Sequence, residues 1–353
     1  MKLEYIPAID GLRAVSILCV VLSHAGNGME RLFPGTLGVI IFFAISGFVI
    51  TRGLLQEYAQ SGRISLGRFY QRRALRLLPA LLLYLIVFVP LLWCLGADIT
   101  GVHIASGLLY VANYYHIFIG YPDYNPLPIL WSLAVEEHFY LLFPLLFLFL
   151  AKHPKMLALM LCAAIILILL WRLWLYSHCM ESALWICGRA GQIRAHGTDA
   201  IADTICYGIL AALLVHHWPE YARRLLGSKG ALIAALAGLV IALIVRNPAF
   251  RETLRYSLEA LCAALLIGHC LYVPASRITR ILQHPWMVTI GKISYPLYLF
   301  HFGVLITIEA LQGTHQLRGA GEILLYLGLS FAAALLCYYG VEQAVRRKRG
   351  QGE

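Results

Sequence analysis

"HIASGLLYVANYYHIFI", residues 103–119, decides how often this chain crosses a membrane. The stretch is apolar enough to count as a span, yet it holds two histidines, an asparagine and three tyrosines, and "GYPDYNPLP" follows it. Ten other apolar segments lie near residues 14–26, 36–51, 77–95, 131–150, 157–175, 198–216, 230–245, 254–272, 286–311 and 322–340. Several are short against the ~20 residues a span needs. Charge tests the count, because cytoplasmic loops are enriched in Lys and Arg. With eleven spans and the N-terminus inside, "RRLLGSK" at 223–229 and "RRKRG" at 346–350 would both lie outside. With 103–119 removed, 19 basic residues fall inside and 6 outside, the remaining three (Arg172, Arg255, Lys292) sitting at or within helix ends. The expected fold is an all-α polytopic membrane protein of about ten transmembrane helices with both termini cytoplasmic. Segment 103–119 is then a re-entrant or interfacial element on the outer side, tolerable where it packs against protein.

Composition agrees. Of 353 residues, 60% are hydrophobic and 13% charged, with mean hydropathy +0.75, whereas soluble domains carry about 25% charged residues. The net charge of +10 reads as basic residues orienting helices, so no nucleic-acid partner is expected. No long polar stretch interrupts the pattern, which predicts one membrane domain over 1–353 without an appended soluble domain. The first apolar run lacks a small-residue cleavage site, so a cleaved signal peptide is not expected. Nine cysteines show no CxxC or His/Cys metal spacing, and no metal is expected. Cys179 and Cys187 share one loop and could pair in an oxidising compartment.

Ionisable residues inside apolar segments are costly and need a partner or a role. In "AIDGLRAVSILCVVLSHAG", residues 8–26, Arg13 and His24 are eleven residues apart. On a helix that is a rise of about 16 Å with the two side chains roughly 20° apart on one face. His24 is either a packed histidine or a general base taking a proton from a hydroxyl. "WSLAVEEHFY", 131–140, offers Glu136 and Glu137, which point about 100° apart and cannot both face one site; depth alone does not choose between them. In "FYQRRALRLLP", 69–79, Arg73 and Arg76 share a helical face. They serve either as a positive-inside anchor or as a phosphate fork. Asp199 and Asp203 share a face near the outer end of the 198–216 segment, and His301 is a second intramembrane histidine, either packed or part of a site. Small residues such as Ser46 and Gly47 read first as helix packing. Nucleoside triphosphate hydrolysis is unsupported without a Gly-rich phosphate loop. A serine hydrolase is unsupported because neither Ser46 nor Ser294 sits in a Gly-x-Ser-x-Gly elbow.

In order, "PAIDGLRAVSILCVVLSH", "GVIIFFAISGFVIT", "RRALRLLP", "WSLAVEEHFYLLFP", "GKISYPLYLFH" and "VEQAVRR" resemble the acyltransferase-3 family of bacterial integral-membrane acyltransferases, from residue 6 to about 347. The resemblance implies an O-acyltransferase of the bacterial inner membrane. It would move an acyl group, usually acetyl, from cytosolic acyl-CoA to a hydroxyl of an envelope glycan or glycolipid. It implies that Arg13 and His24 handle and transfer the acyl group, that Arg73 and Arg76 hold CoA phosphates, and that Glu136 rather than Glu137 assists His24. Asp203 and His301 are then expected at the acceptor. There is one departure: Ile201 stands where many members carry arginine. Some members also carry an SGNH-type extracytoplasmic domain; without one, transfer would finish in the membrane domain or with a partner. The competing reading is a transporter or flippase of an envelope precursor, a class that often shows inverted repeats; none is visible here.

Overall fold

The computed structural model describes residues 5–26, 28–179, 184–317 and 319–345. Lys2, Arg318 and the basic run at 346–349 of the charge count lie outside the described residues. The described residues form helices and connecting turns, with no strand among them. Among the described residues, eight helices are long and apolar enough to cross a bilayer: α1 (Pro7–His24), α2 (Gly35–Ser61), α3 (Leu66–Cys94), α6 (Trp131–Leu150, with the 3-10 turn before it), α7 (Pro154–His178), α11 (Leu254–Tyr272), α13 (Ser294–Gln312) and α14 (Ala320–Cys337, continued to Val345). Two of the ten expected segments fall short of that test alone. α8 (Asp203–His217) has 15 residues. α10 (Lys229–Ile244) passes only together with α9 (Pro219–Leu226), at a bend of 57°.

Segment 103–119 forms no single helix of spanning length. It breaks into α4 (Gly101–Leu108) and α5 (Ala112–Phe118), each only about 10–12 Å long. Tyr110, at φ +56°, makes the turn between them. The polar residues that weakened this segment in the sequence tie it to protein. Asn113 donates to the His196 carbonyl and to Thr198 Oγ1 (3.3 and 3.0 Å), Tyr114 donates to Asp199 (2.9 Å), and Ser106 pairs with Tyr121 (2.6 Å).

Elsewhere the apolar pattern under-reads the helices. The sequence places a loop at 52–76, but α2 runs on to Ser61 and α3 starts at Leu66. The turn between them is fixed by Gly62 in the left-handed region (φ +66°) and by Ser65, whose hydroxyl accepts from Arg68 N, an αL C-cap followed by an N-cap. Both helices therefore project beyond the apolar layer and carry their arginines with them. Likewise the 286–311 segment is two helices, α12 (Pro285–Lys292) and α13.

α2 and α8 meet backbone to backbone. A Cβ at Gly47 would lie 2.2 Å from the Ile205 carbonyl oxygen, and one at Gly208 1.9 Å from that of Ala44. Each helix thus presents a glycine to the other's backbone, a close-packing device of membrane helices. α1 packs on α2, α12 and α13, so the helices bearing Arg13, Ser46, His24 and His301 form one wall. Cys179 and Cys187 are disulfide-bonded.

Candidate active site

The projecting parts of α2 and α3, with the first turns of α1 and the end of α12, enclose a basin of about 1000 Å³. Among the described residues, six cationic side chains face it: Arg13, Arg68, Arg72, Arg73, Arg76 and Lys292. Three acids, Asp10, Glu57 and Glu342, face it as well. Two of the acids hold particular cations. Glu57 accepts from Arg72 (3.0 Å) and the Ser65 amide (2.9 Å) and stands 3.9 Å from Arg68. Asp10 lies 3.8 Å from Arg13 and accepts from Tyr5 (2.5 Å). Burial, reinforced by the Asp10 carboxylate, keeps the Tyr5 phenol protonated well above its ordinary range. Arg73 is held differently. Its guanidinium lies over Tyr140 (4.7 Å) and Phe69 (5.9 Å), which orients the fork while leaving its donors for an anion.

A second, narrower chamber of about 80 Å³ shares Arg13, Arg73, Arg76, Ser294 and Tyr295 with the basin. Its walls come from helical spacing. α6 contributes Ser132, Glu136 and Tyr140, one turn apart on one stripe, and α2 contributes Val39, Phe42, Phe43, Ser46 and Val49. The polar groups form a ladder: Tyr140 beneath Arg73, then Glu136 accepting from Ser46 (2.6 Å), then Ser132 paired with Tyr298 (2.6 Å). Glu137 is not among the lining residues.

His24 does not line the chamber and makes no hydrogen bond to Glu136. Its neighbour is His301. The rings are 5.3 Å apart, with His301 Nε2 at 3.4 Å from His24 Nδ1. Each ring also places Nδ1 at 2.9 Å from a carbonyl one turn earlier, Val20 for His24 and Leu297 for His301. A carbonyl only accepts, so each Nδ1 carries the proton and each Nε2 keeps its lone pair. The single Nδ1 hydrogen of His24 is shared between the Val20 carbonyl (2.9 Å) and, at a longer 3.4 Å, His301 Nε2, which leaves His24 Nε2 as an acceptor. The link back to the chamber is Tyr298, one turn below His301 on α13, its ring 5.8 Å away. The sequence reading missed Tyr298, although its spacing to His301 was a usable signal. Ser46 reads in the sequence as helix packing and Lys292 as a charge at a helix end, and Glu57 belongs to no motif there.

Asp203 lies elsewhere. Its carboxylate is fully buried and saturated: Arg172 Nη1 and Nη2 donate to it in a fork (2.9 and 2.8 Å), and Ser257 donates to it (2.6 Å). Arg172, itself fully buried, also donates to the Ala200 carbonyl and to Ser257. Arg172 reaches Asp203 from α7, and Ile201, where the resemblance expects arginine, is buried in apolar packing. Asp203 faces neither cavity.

Residues 6–341 match the acyltransferase-3 family model, an acyltransferase domain. The chain belongs to the acyltransferase-3 family. Among curated relatives, a Staphylococcus aureus (strain COL) protein provisionally named an O-acetyltransferase is 30% identical over 373 residues, covering 98% of this chain and 58% of that protein. The O-acetyltransferase OatA of Staphylococcus aureus (strain NCTC 8325 / PS 47) is 28% identical over 364 residues with the same coverage. This acyltransferase-3 chain thus spans 58% of the length of those relatives. No solved structure matches it.

Proposed function

We propose that the protein is a transmembrane O-acyltransferase of a bacterial inner membrane. It takes an acetyl group from cytosolic acetyl-CoA and delivers it to a hydroxyl of an envelope glycan or glycolipid arriving from the opposite face. The observation that carries this reading is the basic basin narrowing into a chamber that ends one helical turn below the His24–His301 pair. Phosphates of the donor sit in the basin on Arg73 and Arg76, with Arg13 at the entrance to the chamber. Arginine forks suit phosphate oxygens. The thin pantetheine arm enters the chamber from the basin and runs up the ladder.

Glu136 then faces the arm rather than His24. It lies four residues, about 6 Å along the helix, from Ser132. Its carboxylate there accepts an amide hydrogen of the pantetheine arm. His24 Nε2 takes the proton of the acceptor hydroxyl as its oxygen attacks the thioester carbonyl carbon. His301 occupies the place that the sequence assigned to Glu136, accepting from Nδ1 and steadying the imidazolium. The C–S bond breaks, the thiolate of CoA recovers the proton from His24, and an ester and free CoA leave on opposite sides.

The test uses the purified full chain in nanodiscs. Acetyl-CoA binds and the 3′-dephospho donor binds more weakly; Arg73→Ala lowers donor affinity at least tenfold; His24→Ala retains donor binding and loses transfer. A His24→Ala protein that still transfers acetyl refutes the mechanism, and a wild-type protein with no affinity for acetyl-CoA refutes the function.

A further inference from the structure

Acyl transfer needs a donor aimed at the oxygen that becomes negative as the carbonyl is attacked, and such donors are among the largest single contributions to catalysis. Several hydroxyls line the chamber. Ser46 is engaged with Glu136, and Tyr295 donates to the Leu77 carbonyl (2.9 Å) beside the entrance residue Ser294. Tyr298 stands higher, about one turn beyond Tyr295 on the same helix and below the histidines.

The hydrogen bonds of Tyr298 fix its polarity. Its hydroxyl lies 3.0 Å from the Ile129 carbonyl, which only accepts, so Tyr298 donates there. Ser132, at 2.6 Å, therefore donates to the phenolic oxygen. A hydroxyl that accepts one hydrogen bond donates the next more strongly.

We infer that the Tyr298 hydroxyl is the oxyanion donor of acyl transfer, with Ser132 as its positioning residue; this rests on the acyltransferase reading above. A thioester oxygen reaching the top of the chamber takes the Tyr298 hydrogen in place of the Ile129 carbonyl, a turn of one O–H bond with no movement of the ring. The acceptor oxygen, deprotonated by His24, adds to the carbonyl carbon. The C=O electron pair moves to the oxygen held by Tyr298, then returns as the C–S bond breaks and the thiolate of CoA takes the proton from His24.

The experiment compares wild type, Tyr298→Phe, Ser132→Ala and the double variant in nanodiscs. It measures kcat, the Kd for acetyl-CoA, and the Kd for a trifluoromethyl ketone analogue of acetyl-CoA that adds water to mimic the tetrahedral intermediate. Tyr298→Phe is expected to lower kcat by about 10²–10³, with acetyl-CoA affinity within about threefold of wild type and analogue affinity reduced in step with kcat. Ser132→Ala is expected to give a smaller loss of the same pattern, and the double variant to resemble Tyr298→Phe, because Ser132 acts through Tyr298. A merely structural role would not weaken the analogue selectively. Tyr298→Phe with kcat within about threefold of wild type overturns the inference alone, as does equal loss of acetyl-CoA and analogue affinity. A wild type that binds no acetyl-CoA overturns the acyltransferase reading and this inference with it.

Discussion

Replacing Arg172 by Met tests whether Asp203 is a structural acid. The guanidinium donates four hydrogen bonds: two to Asp203, one to the Ala200 carbonyl and one to Ser257. Both side chains of the ion pair are wholly buried. Removing the arginine leaves Asp203 with the Ser257 hydroxyl and the Thr204 backbone amide, and with no cation. Breaking a buried pair in this way costs about 3–5 kcal/mol, because a charge is left uncompensated. With roughly 2–4 °C of Tm per kcal/mol for a sizeable domain, the midpoint falls on the order of 10 °C. Removing both charges, as Arg172→Met with Asp203→Leu, recovers most of that loss, since replacing a whole buried pair by apolar groups is often neutral. The assay is thermal unfolding of the four proteins of this cycle in one detergent. A single Arg172→Met that costs less than about 1 kcal/mol, well below the range for a broken buried pair, refutes the argument. So does an Asp203→Asn that keeps full stability but abolishes transfer, which would put Asp203 at the acceptor.

Acyl length is the next expectation. The donor arm threads a chamber of about 80 Å³, which leaves little room for added methylenes on the acyl group. Initial rates should therefore fall steeply from acetyl- to butyryl-CoA, and Phe42→Ala should narrow the difference; equal rates for both donors in the wild type would remove the chamber from the path. Acid stability should depend on His196, which packs edge-on to Trp131 and His116. Burial, and then the neighbouring His116, push His196 down to about 4. The folded protein holds it neutral while the unfolded chain binds a proton near 6.5. Its contribution is intact above that value and is lost as pH falls from about 6.5 to 4, by up to roughly 3 kcal/mol. His196→Gln should flatten the fall in Tm over that window, and an unchanged slope would exclude the residue as its source.

Short-range features were legible in the sequence. The 103–119 segment showed its polar residues openly, and they are the groups that tie α4 and α5 to protein. Arg73 with Arg76, and Ser132 with Glu136, follow from spacing within one helix, and both pairs line the same chamber. What stayed hidden depends on packing between distant segments. His24 and His301 are 277 residues apart, and Ser132 and Tyr298 166 apart; no periodicity joins them. Arg172 was read as lying at a helix end, and nothing local paired it with Asp203 on another helix. The projecting ends of α2 and α3 were missed for a different reason. An apolar scan stops where charge begins, whereas the helix continues to its caps at Gly62 and Ser65.

Gly47 and Gly208 press two backbones together, so α2 and α8 cannot slide or spread without losing that contact. The Arg172–Asp203 fork in turn fastens α8 to α7. α2 meets α6 far more sparingly than it meets α8. The side bearing Ser46 is therefore a fixed jaw, and the side bearing Ser132, Glu136 and Tyr140 is the more lightly held of the two.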